Sequence, residues 1–114
     1  MITVTNTDKL VTVTVLGEFT LTDFKQFEEA VEYAIKFQGK VNLLLDLSEM
    51  SAYTIDVAWE EIKFSRAHKA DFEKVAVISS DQWTIWSAWV TKLFVDAEIL
   101  VFDDSEPAGE WVAA

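Results

Sequence analysis

Few residues of this chain are suited to acid–base or nucleophilic chemistry. His68 is the only histidine among 114 residues, and there is no cysteine. Catalysis by His68 would need a nucleophile, or a second acid or base, held within reach. Glu61 is spaced two helical turns away, and Glu60, Glu61 and His68 match no established metal-binding spacing. The sequence therefore predicts no catalytic residue, no metal site and no cofactor, and hence a protein that is not an enzyme.

Large apolar side chains are concentrated in one segment instead. Three of the five tryptophans, Trp83, Trp86 and Trp89, stand within seven residues. On a helix, Trp83 and Trp86 share one side with Val90, while Ile85 and Trp89 widen the apolar arc to about half the circumference. Because covering a sheet needs a narrower arc, we expect the surplus to meet a neighbouring helix, a ligand or a second protein chain.

A helical segment at about 54–70 has a similar excess of apolar residues. Trp59 belongs to one apolar stripe, while Val57 and Phe64 align two turns apart on the opposite side. Arg66 continues the stripe, and its guanidinium, with Lys63 as a second candidate, is suited to an anionic head group. An ion pair of Arg66 with a carboxylate within the fold is the simpler interpretation.

These patterns support two hypotheses. The first is a non-enzymatic module that holds an apolar or fatty-acid-like ligand between helices 54–70 and 81–94. The residues predicted to contact this ligand are Val57, Trp59, Lys63, Phe64, Arg66, Ile85, Trp86 and Trp89. The alternative is a protein-interaction module that uses the same apolar surface for a homodimer or a regulatory partner.

Charge and composition exclude other classes. The net charge is −11 and the isoelectric point is about 4.3. Nucleic acids and anionic membrane surfaces both require basic patches, so neither is an expected partner. The N-terminal residues do not resemble a signal peptide, and no apolar run is long enough for membrane insertion. We expect one cytoplasmic domain over residues 1–114.

The N-terminal third predicts a hairpin followed by a helix. Residues 1–5 and 10–16 form the expected strands, with Val11, Val13 and Val15 alternating onto one face and Gly17 ending the second strand. An amphipathic helix then follows, with Thr22 as its expected N-cap and Gly39 as its expected C-cap.

The remainder predicts strands that alternate with helices. Residues 41–47, 74–79 and 98–102 are apolar runs typical of strands buried on both faces. Helices are expected at 54–70, at 81–94 and, as a short one, at 106–112. Alternation of this kind predicts an α/β fold with a mixed, mostly parallel sheet of about five strands and about four helices.

This order of elements resembles the SpoIIAA-like fold shared with STAS domains, the anti-sigma-factor antagonists. Residues 42–50, Asn-Leu-Leu-Leu-Asp-Leu-Ser-Glu-Met, carry the resemblance best. A scattered similarity to bacterial SpoIIAA-like proteins of unsettled function spans residues 17–102. Its matches are residues 59–63 and 71–77, His68, Trp83 and residues 92–94. The resemblance implies a fold, and it is compatible with both hypotheses because related folds include lipid-carrying domains.

The resemblance also implies a test for a phosphorylation switch. STAS domains that act as switches have Asp-Ser-Ser/Thr-Gly where the helix after the central strand begins. In this chain, residues 54–57 fall at that motif, and Ile55 or Asp56 takes the acceptor position. Neither can accept the phosphate of a serine switch. Ser51 and Thr54 are nearby hydroxyls that could be modified, although Thr54 is better explained as an N-cap.

Overall fold

Five strands and two helices make up the described part of the chain. The computed structural model describes residues 1–7, 10–53, 71–79, 94 and 97–114. The strands are β1 (Ile2–Thr7), β2 (Leu10–Phe19), β3 (Val41–Tyr53), β4 (Phe72–Ile78) and β5 (Glu98–Phe102); the helices are α1 (Leu21–Gln38) and α2 (Ser105–Ala113). The helices expected at 54–70 and 81–94 lie outside the described residues.

The strands form one mixed sheet in the order β1-β2-β3-β4-β5. β1 and β2 are antiparallel, with Thr7 opposite Leu10, whereas β2, β3, β4 and β5 are successively parallel. The predicted N-terminal hairpin and the mostly parallel sheet are therefore confirmed.

Gly17 does not end β2, so that expectation was wrong. The strand continues to Phe19, because Gly17 adopts a φ of 70° within an irregular stretch of the β2–β3 ladder. Glycine occupies this region at little steric cost. In the same stretch β3 has extra residues relative to β2: Leu16 pairs with Glu49, and Glu18 pairs with Ala52. Such bulges let β3 extend to Tyr53, beyond the predicted end at position 47.

The N-cap of α1 lies two residues earlier than expected from the sequence. The N-cap is Thr20 rather than Thr22, and its hydroxyl accepts a hydrogen bond from the Asp23 backbone N–H at 3.2 Å. The Asp23 carboxylate in turn accepts from the Thr20 N–H at 3.0 Å, which completes a capping box. Thr20 rather than Thr22 caps the helix because both the backbone N–H and the carboxylate of Asp23 are hydrogen-bonded to Thr20. Gly39 ends the helix as predicted, with its N–H bonded to the Ile35 carbonyl at 2.9 Å.

One face of the sheet packs against α1. Alternate residues of β2 and β3 point to this face and are fully buried, and the helix contributes an apolar stripe at helical spacing. The members of this core include Val11, Val13 and Val15, then Phe24, Phe27 and Val31, then Leu43, Leu45 and Leu47. Val75, Val77 and Phe94 complete it, and Phe94 makes edge-to-face contacts with Phe27 and Phe72.

The opposite face of the sheet is covered by α2. Ala108 and Val112 are buried there against Ala76 and Ile78 of β4, with Leu44 of β3 packed at the margin. The expectation of burial on both faces is therefore confirmed for β4, whereas β3 is only partly buried on the α2 side, at Asn42, Leu44 and Asp46.

Two polar side chains hold the carbonyl end of α2 on the sheet. Asn42 Nδ2 donates to the Val112 carbonyl at 2.9 Å, while Asn42 Oδ1 accepts from the Lys74 backbone N–H at 3.1 Å. Lys74 Nζ donates to the Trp111 carbonyl at 3.3 Å and lies 5.3 Å from the centre of the Trp111 ring. These contacts bind carbonyls of the last turn of α2, where the Trp111 carbonyl also accepts from the Ala114 backbone N–H at 3.4 Å. We refer to Asn42 and Lys74 as the α2 clamp.

Asn42→Ala is expected to lower the free energy of unfolding by about 1–3 kcal/mol. The substitution leaves the Val112 carbonyl and the Lys74 N–H without their partners, which costs their desolvation. Urea titration followed by circular dichroism measures the change. Asn6→Ala, an exposed asparagine of β1, is the matched control and is expected to change the value by less than about 0.5 kcal/mol. Equal effects of the two substitutions would contradict the role assigned to the clamp.

A second prediction concerns Asp23, whose carboxylate also lies 2.9 Å from the Met1 amino group. Burial would raise the pKa of Asp23, but hydrogen bonds from the Met1 amino group and from Thr20 outweigh it and lower the pKa below its ordinary value of 3.8. The stabilisation is complete above the ordinary value and is lost as the pH falls through the lowered one. Asp23→Asn is therefore expected to destabilise the protein by about 1–2 kcal/mol at pH 7.

The difference between wild type and Asp23→Asn should shrink as the pH is lowered below the ordinary pKa of the carboxylate, because the wild type then loses its own charge. Urea titrations from pH 7 to pH 2 measure it. Glu18→Gln changes the net charge equally at an exposed position and serves as the control. A destabilisation that stays constant across this range would show that the charge of Asp23 is not the cause.

Candidate functional site

The eight residues predicted to contact a ligand all lie outside the described residues. They are Val57, Trp59, Lys63, Phe64, Arg66, Ile85, Trp86 and Trp89. His68, Glu61 and the hydroxyl of Thr54 lie outside them as well. The ligand pocket therefore stays a prediction, and the surfaces considered below belong to the described part of the chain.

A hydrogen-bonded turn within β3 lies where its pairing with β2 becomes irregular. Asp46 Oδ1 accepts hydrogen bonds from the Ser48 backbone N–H at 3.0 Å and from Ser48 Oγ at 2.6 Å. Aspartate side chains commonly bond the backbone two residues further along in this way. The Ser48 hydroxyl is therefore engaged as a donor, and its proton is directed at a carboxylate.

The adjacent strand β4 ends beside this turn. Ile78 is the register partner of Asp46, and Ser79 follows it. The Ser79 backbone N–H donates to the Phe102 carbonyl at 2.9 Å, but its hydroxyl is buried, with the residue 4% exposed and no partner for Oγ among the described residues. Ser51 is exposed, two residues before the end of β3. The residues aligned with the phosphorylation motif, 54–57, follow β3 in sequence and lie outside the described residues.

An aromatic pair is exposed on α1. Tyr33 and Phe37 are 63% and 65% exposed, and their ring centres lie 4.7 Å apart because residues at i and i+4 are neighbours on a helix. Lys36 Nζ lies 5.7 Å from the Phe37 ring centre, and Lys40 follows just after the helix. We call Tyr33, Lys36, Phe37 and Lys40 the α1 aromatic patch.

This patch was not predicted from the sequence, from which only an amphipathic helix was expected here. The available signal was an i,i+4 aromatic pair lying off the buried stripe, where exposure of two large rings serves no packing purpose.

A second apolar surface lies on β5. The sequence predicted β5 to be buried on both faces, and this was wrong: the strand is at the edge of the described sheet, with Leu100 42% and Val101 37% exposed. Its apolar run resembles that of a central strand because Ile99 packs against the α1-side core and Phe102 against the α2-side core. Glu98 and Asp103 flank the run and are exposed. Because successive strand residues point to opposite faces, Leu100 is exposed on the α2 side of the sheet and Val101 on the α1 side.

The described residues contain no group of three or more His, Cys, Asp or Glu side chains placed to hold a metal ion. Neither α1 nor α2 combines the length and the apolar character needed to cross a membrane.

The hairpin, the parallel strands and a helix on each face define an α/β domain with the SpoIIAA-like order of elements. The match to the SpoIIAA-like family covers residues 10–113, and the chain belongs to that family. The resemblance recognised from the sequence is thus confirmed. None of the curated proteins matches the sequence.

Solved structures share the fold. An uncharacterized Shewanella loihica protein with a SpoIIAA-like fold is 22% identical, with a TM-score of 0.77, covering 98% of this chain and 92% of its own. The unphosphorylated anti-sigma factor antagonist SpoIIAA is 12% identical, with a TM-score of 0.66, and the match covers 100% of this chain and 99% of that one. The phosphorylated Bacillus cell fate determinant SpoIIAA is 15% identical, with a TM-score of 0.57, and the match covers 97% of this chain and 99% of that one. At these identities the likeness establishes the fold alone.

Removal of the aromatic pair should cost little stability. Tyr33→Gln/Phe37→Gln is expected to change the free energy of unfolding by less than about 0.5 kcal/mol, because exposed side chains contribute little to the fold. Phe27→Ala, on the buried side of the same helix, is expected to cost about 3–5 kcal/mol. Urea titration measures both. A loss above about 1.5 kcal/mol for the double substitution would show that the pair belongs to the core.

Proposed function

We propose that this chain is a non-enzymatic protein-binding module of regulatory type, whose binding does not depend on a serine phosphoswitch. The observation that carries the proposal is the α1 aromatic patch, in which two neighbouring rings tilted by 48° lie open to solvent and Lys36 lies over one of them. Tyrosine and phenylalanine are enriched at protein interfaces, where they supply large contact areas at small cost in conformational entropy.

The fold supports the same function at a coarser level. SpoIIAA, whose fold this chain shares over its whole length, is an anti-sigma factor antagonist, so it acts on another protein. It is also known in phosphorylated and unphosphorylated forms. In this chain the acceptor position is expected to fall on Ile55 or Asp56, and neither has a hydroxyl. Partner binding is therefore expected without phosphate at that position.

The second candidate is the lipid-like ligand predicted between helices 54–70 and 81–94. The observation in its favour is the apolar arc of the tryptophan-rich segment, which is wider than covering a sheet requires. Val57, Trp59, Phe64, Ile85, Trp86 and Trp89 would enclose its apolar part, and Lys63 or Arg66 would bind its anionic end.

Site-specific photo-crosslinking tests the main proposal. A photoreactive phenylalanine analogue at position 37, in protein made in its native cells, is expected to give a covalent adduct with another polypeptide. The analogue at position 25, an exposed lysine at the other end of α1, is the matched control. The adduct should disappear when Tyr33→Gln is added, because the tyrosine ring beside position 37 is then absent from the binding surface. Equal crosslinking from both positions, or none from position 37, would overturn the proposal.

Native mass spectrometry of the same purified protein separates the two candidates. Co-purified lipid, with tryptophan fluorescence that changes on addition of fatty acid and no adduct from position 37, would replace the main proposal by the ligand-binding one. Intact mass also reports phosphorylation: an added phosphate on Ser51 or Thr54 that is required for the adduct would refute switch-independent binding.

A further inference from the structure

The outer side of β5 presents backbone groups that no described residue binds. The Phe102 carbonyl accepts from the Ser79 N–H, so the backbone of Phe102 faces β4. The N–H and C=O of one strand residue point to the same side of the strand, and successive residues alternate. Because the register between β4 and β5 is continuous, Leu100 also faces β4, whereas Ile99 and Val101 face away from it. The backbone groups of these two residues have no partner among the described residues, and we call this outer side the β5 edge.

The side chains of β5 are those of a strand with neighbours on both sides. Leu100 and Val101 point to opposite faces of the sheet and are 42% and 37% exposed, so both faces are apolar up to the β5 edge. Solvent-exposed edges are usually interrupted by a charge, a proline or a bulge, and residues 99–102 have none of these. β1, at the opposite end of the described sheet, has threonine or asparagine at every position except Ile2 and Val4. The two ends of the sheet therefore differ, and only β5 has the composition of a strand that another strand covers.

The charges around the β5 edge are acidic. Glu98 begins β5 and Asp103 follows it, and both are exposed. Residues 98–114 include five acidic residues and no lysine or arginine. Lys74 is the register partner of Glu98, but its Nζ donates to two carbonyls at the end of α2, and among the described residues no ion pair joins it to Glu98. The acidic charge at both ends of the edge is therefore available to a binding partner.

This charge disfavours a second β5 as the neighbouring strand. Parallel pairing of two copies would place Glu98 beside Glu98, and antiparallel pairing would place Glu98 of one copy near Asp103 of the other. Like charges that lie opposite one another on neighbouring strands are destabilising. The strand that fits this edge therefore has basic residues where β5 has acidic ones.

We propose that the β5 edge binds an extended segment of another protein, which adds a strand beside β5. The segment has a short apolar stretch, since both of its faces would continue the apolar faces of β5, and a lysine or arginine at each end. Hydrogen bonds with Ile99 and Val101 would supply affinity, and the apolar side chains and acidic ends would supply specificity. This surface is separate from the α1 aromatic patch, so the inference goes beyond the proposed function and does not depend on it.

A synthetic peptide provides the probe. Fluorescein-labelled Lys-Lys-Val-Ile-Val-Lys-Lys amide is titrated with the protein, and fluorescence anisotropy measures binding. The peptide is expected to bind saturably, and the same sequence with glutamate in place of every lysine is expected to bind at least about tenfold more weakly. A third peptide keeps every side chain of the first but has N-methyl groups on the three central residues. It should also lose at least about tenfold in affinity, because it cannot donate backbone hydrogen bonds to a strand.

Val101→Pro tests the edge itself. The substitution removes an N–H that faces away from β4, so the hydrogen bonds between β4 and β5 are kept. Binding of the lysine peptide should weaken at least about tenfold. Asn6→Pro, at an exposed position of β1, is the matched control and should leave binding unchanged. Circular dichroism and urea titration confirm that both variants are folded.

Charge reversal is the second measurement, and it leaves the backbone unaltered. Glu98→Lys/Asp103→Lys should weaken binding of the lysine peptide and strengthen binding of the glutamate peptide, because both residues are exposed at the ends of the edge. An unchanged preference between the two peptides would overturn the inference.

Three other results would also overturn it. They are no saturable binding of the lysine peptide by the wild type, equal binding of the N-methylated peptide, and equal binding by Val101→Pro and the wild type. Sedimentation velocity of the wild type and of Val101→Pro is measured alongside. Self-association that Val101→Pro abolishes would identify a second copy as the occupant and reject a segment of another protein. The adduct from position 37 is measured independently, so failure of peptide binding leaves the proposed function standing.

Discussion

Packing of β3 between α1 and α2 is the constraint on which the rest of the structure depends. Its odd-numbered residues from Val41 to Leu47 are buried against the α1 side, and Leu44 packs on the α2 side. Burial of each large apolar side chain contributes about 1.5–3 kcal/mol, so neither face can be left open to water. A helix is required on each side, and both lie close to the strand in space. β2 and β3 pair in parallel because α1, which connects them, returns the chain to the same end of the sheet.

The same constraint explains where surface is left for function. α1 covers the half of the sheet nearest β1, and α2 covers the region around β4. Residues that point away from these contacts are free to vary without loss of the core, and Tyr33, Phe37, Leu100 and Val101 lie there. Exposed rings and aliphatic groups contribute little to the fold, so these are the positions at which the proposed protein binding would act.

Periodicity in the sequence was sufficient for most of the fold. The alternation of Val11, Val13 and Val15 and the helical spacing of Phe24, Phe27 and Val31 report burial directly, because each face meets a single environment. Periodicity did not predict features that depend on which of two similar residues makes a particular contact. Thr22 and Thr20 are equally good caps by residue type, and only the contact with Asp23 distinguishes them. The apolar run of β5 is typical of a central strand. Its position at the edge of the described sheet depends on the strand order, which periodicity does not encode.

The candidate site was harder to predict than the fold, because exposed apolar residues that the fold does not need follow no regular spacing. Helical spacing identifies the buried stripe of α1 but does not single out large rings outside it, so Tyr33 and Phe37 were not predicted as a surface feature. The ligand contacts predicted in 54–70 and 81–94 rest on the spacing of apolar residues in the sequence.

The α2 clamp has a consequence for the motions of the protein. α2 has nine residues, and only Ala108 and Val112 are buried, so apolar contacts alone hold it weakly. Asn42 and Lys74 supply much of the remaining attachment, and they lie on neighbouring strands. Such a helix is a unit that opens locally before the sheet unfolds. Each opening exposes Ala76 and Ile78 to water and frees the clamp residues together. The amides of α2 should therefore exchange their hydrogens well before those of β3.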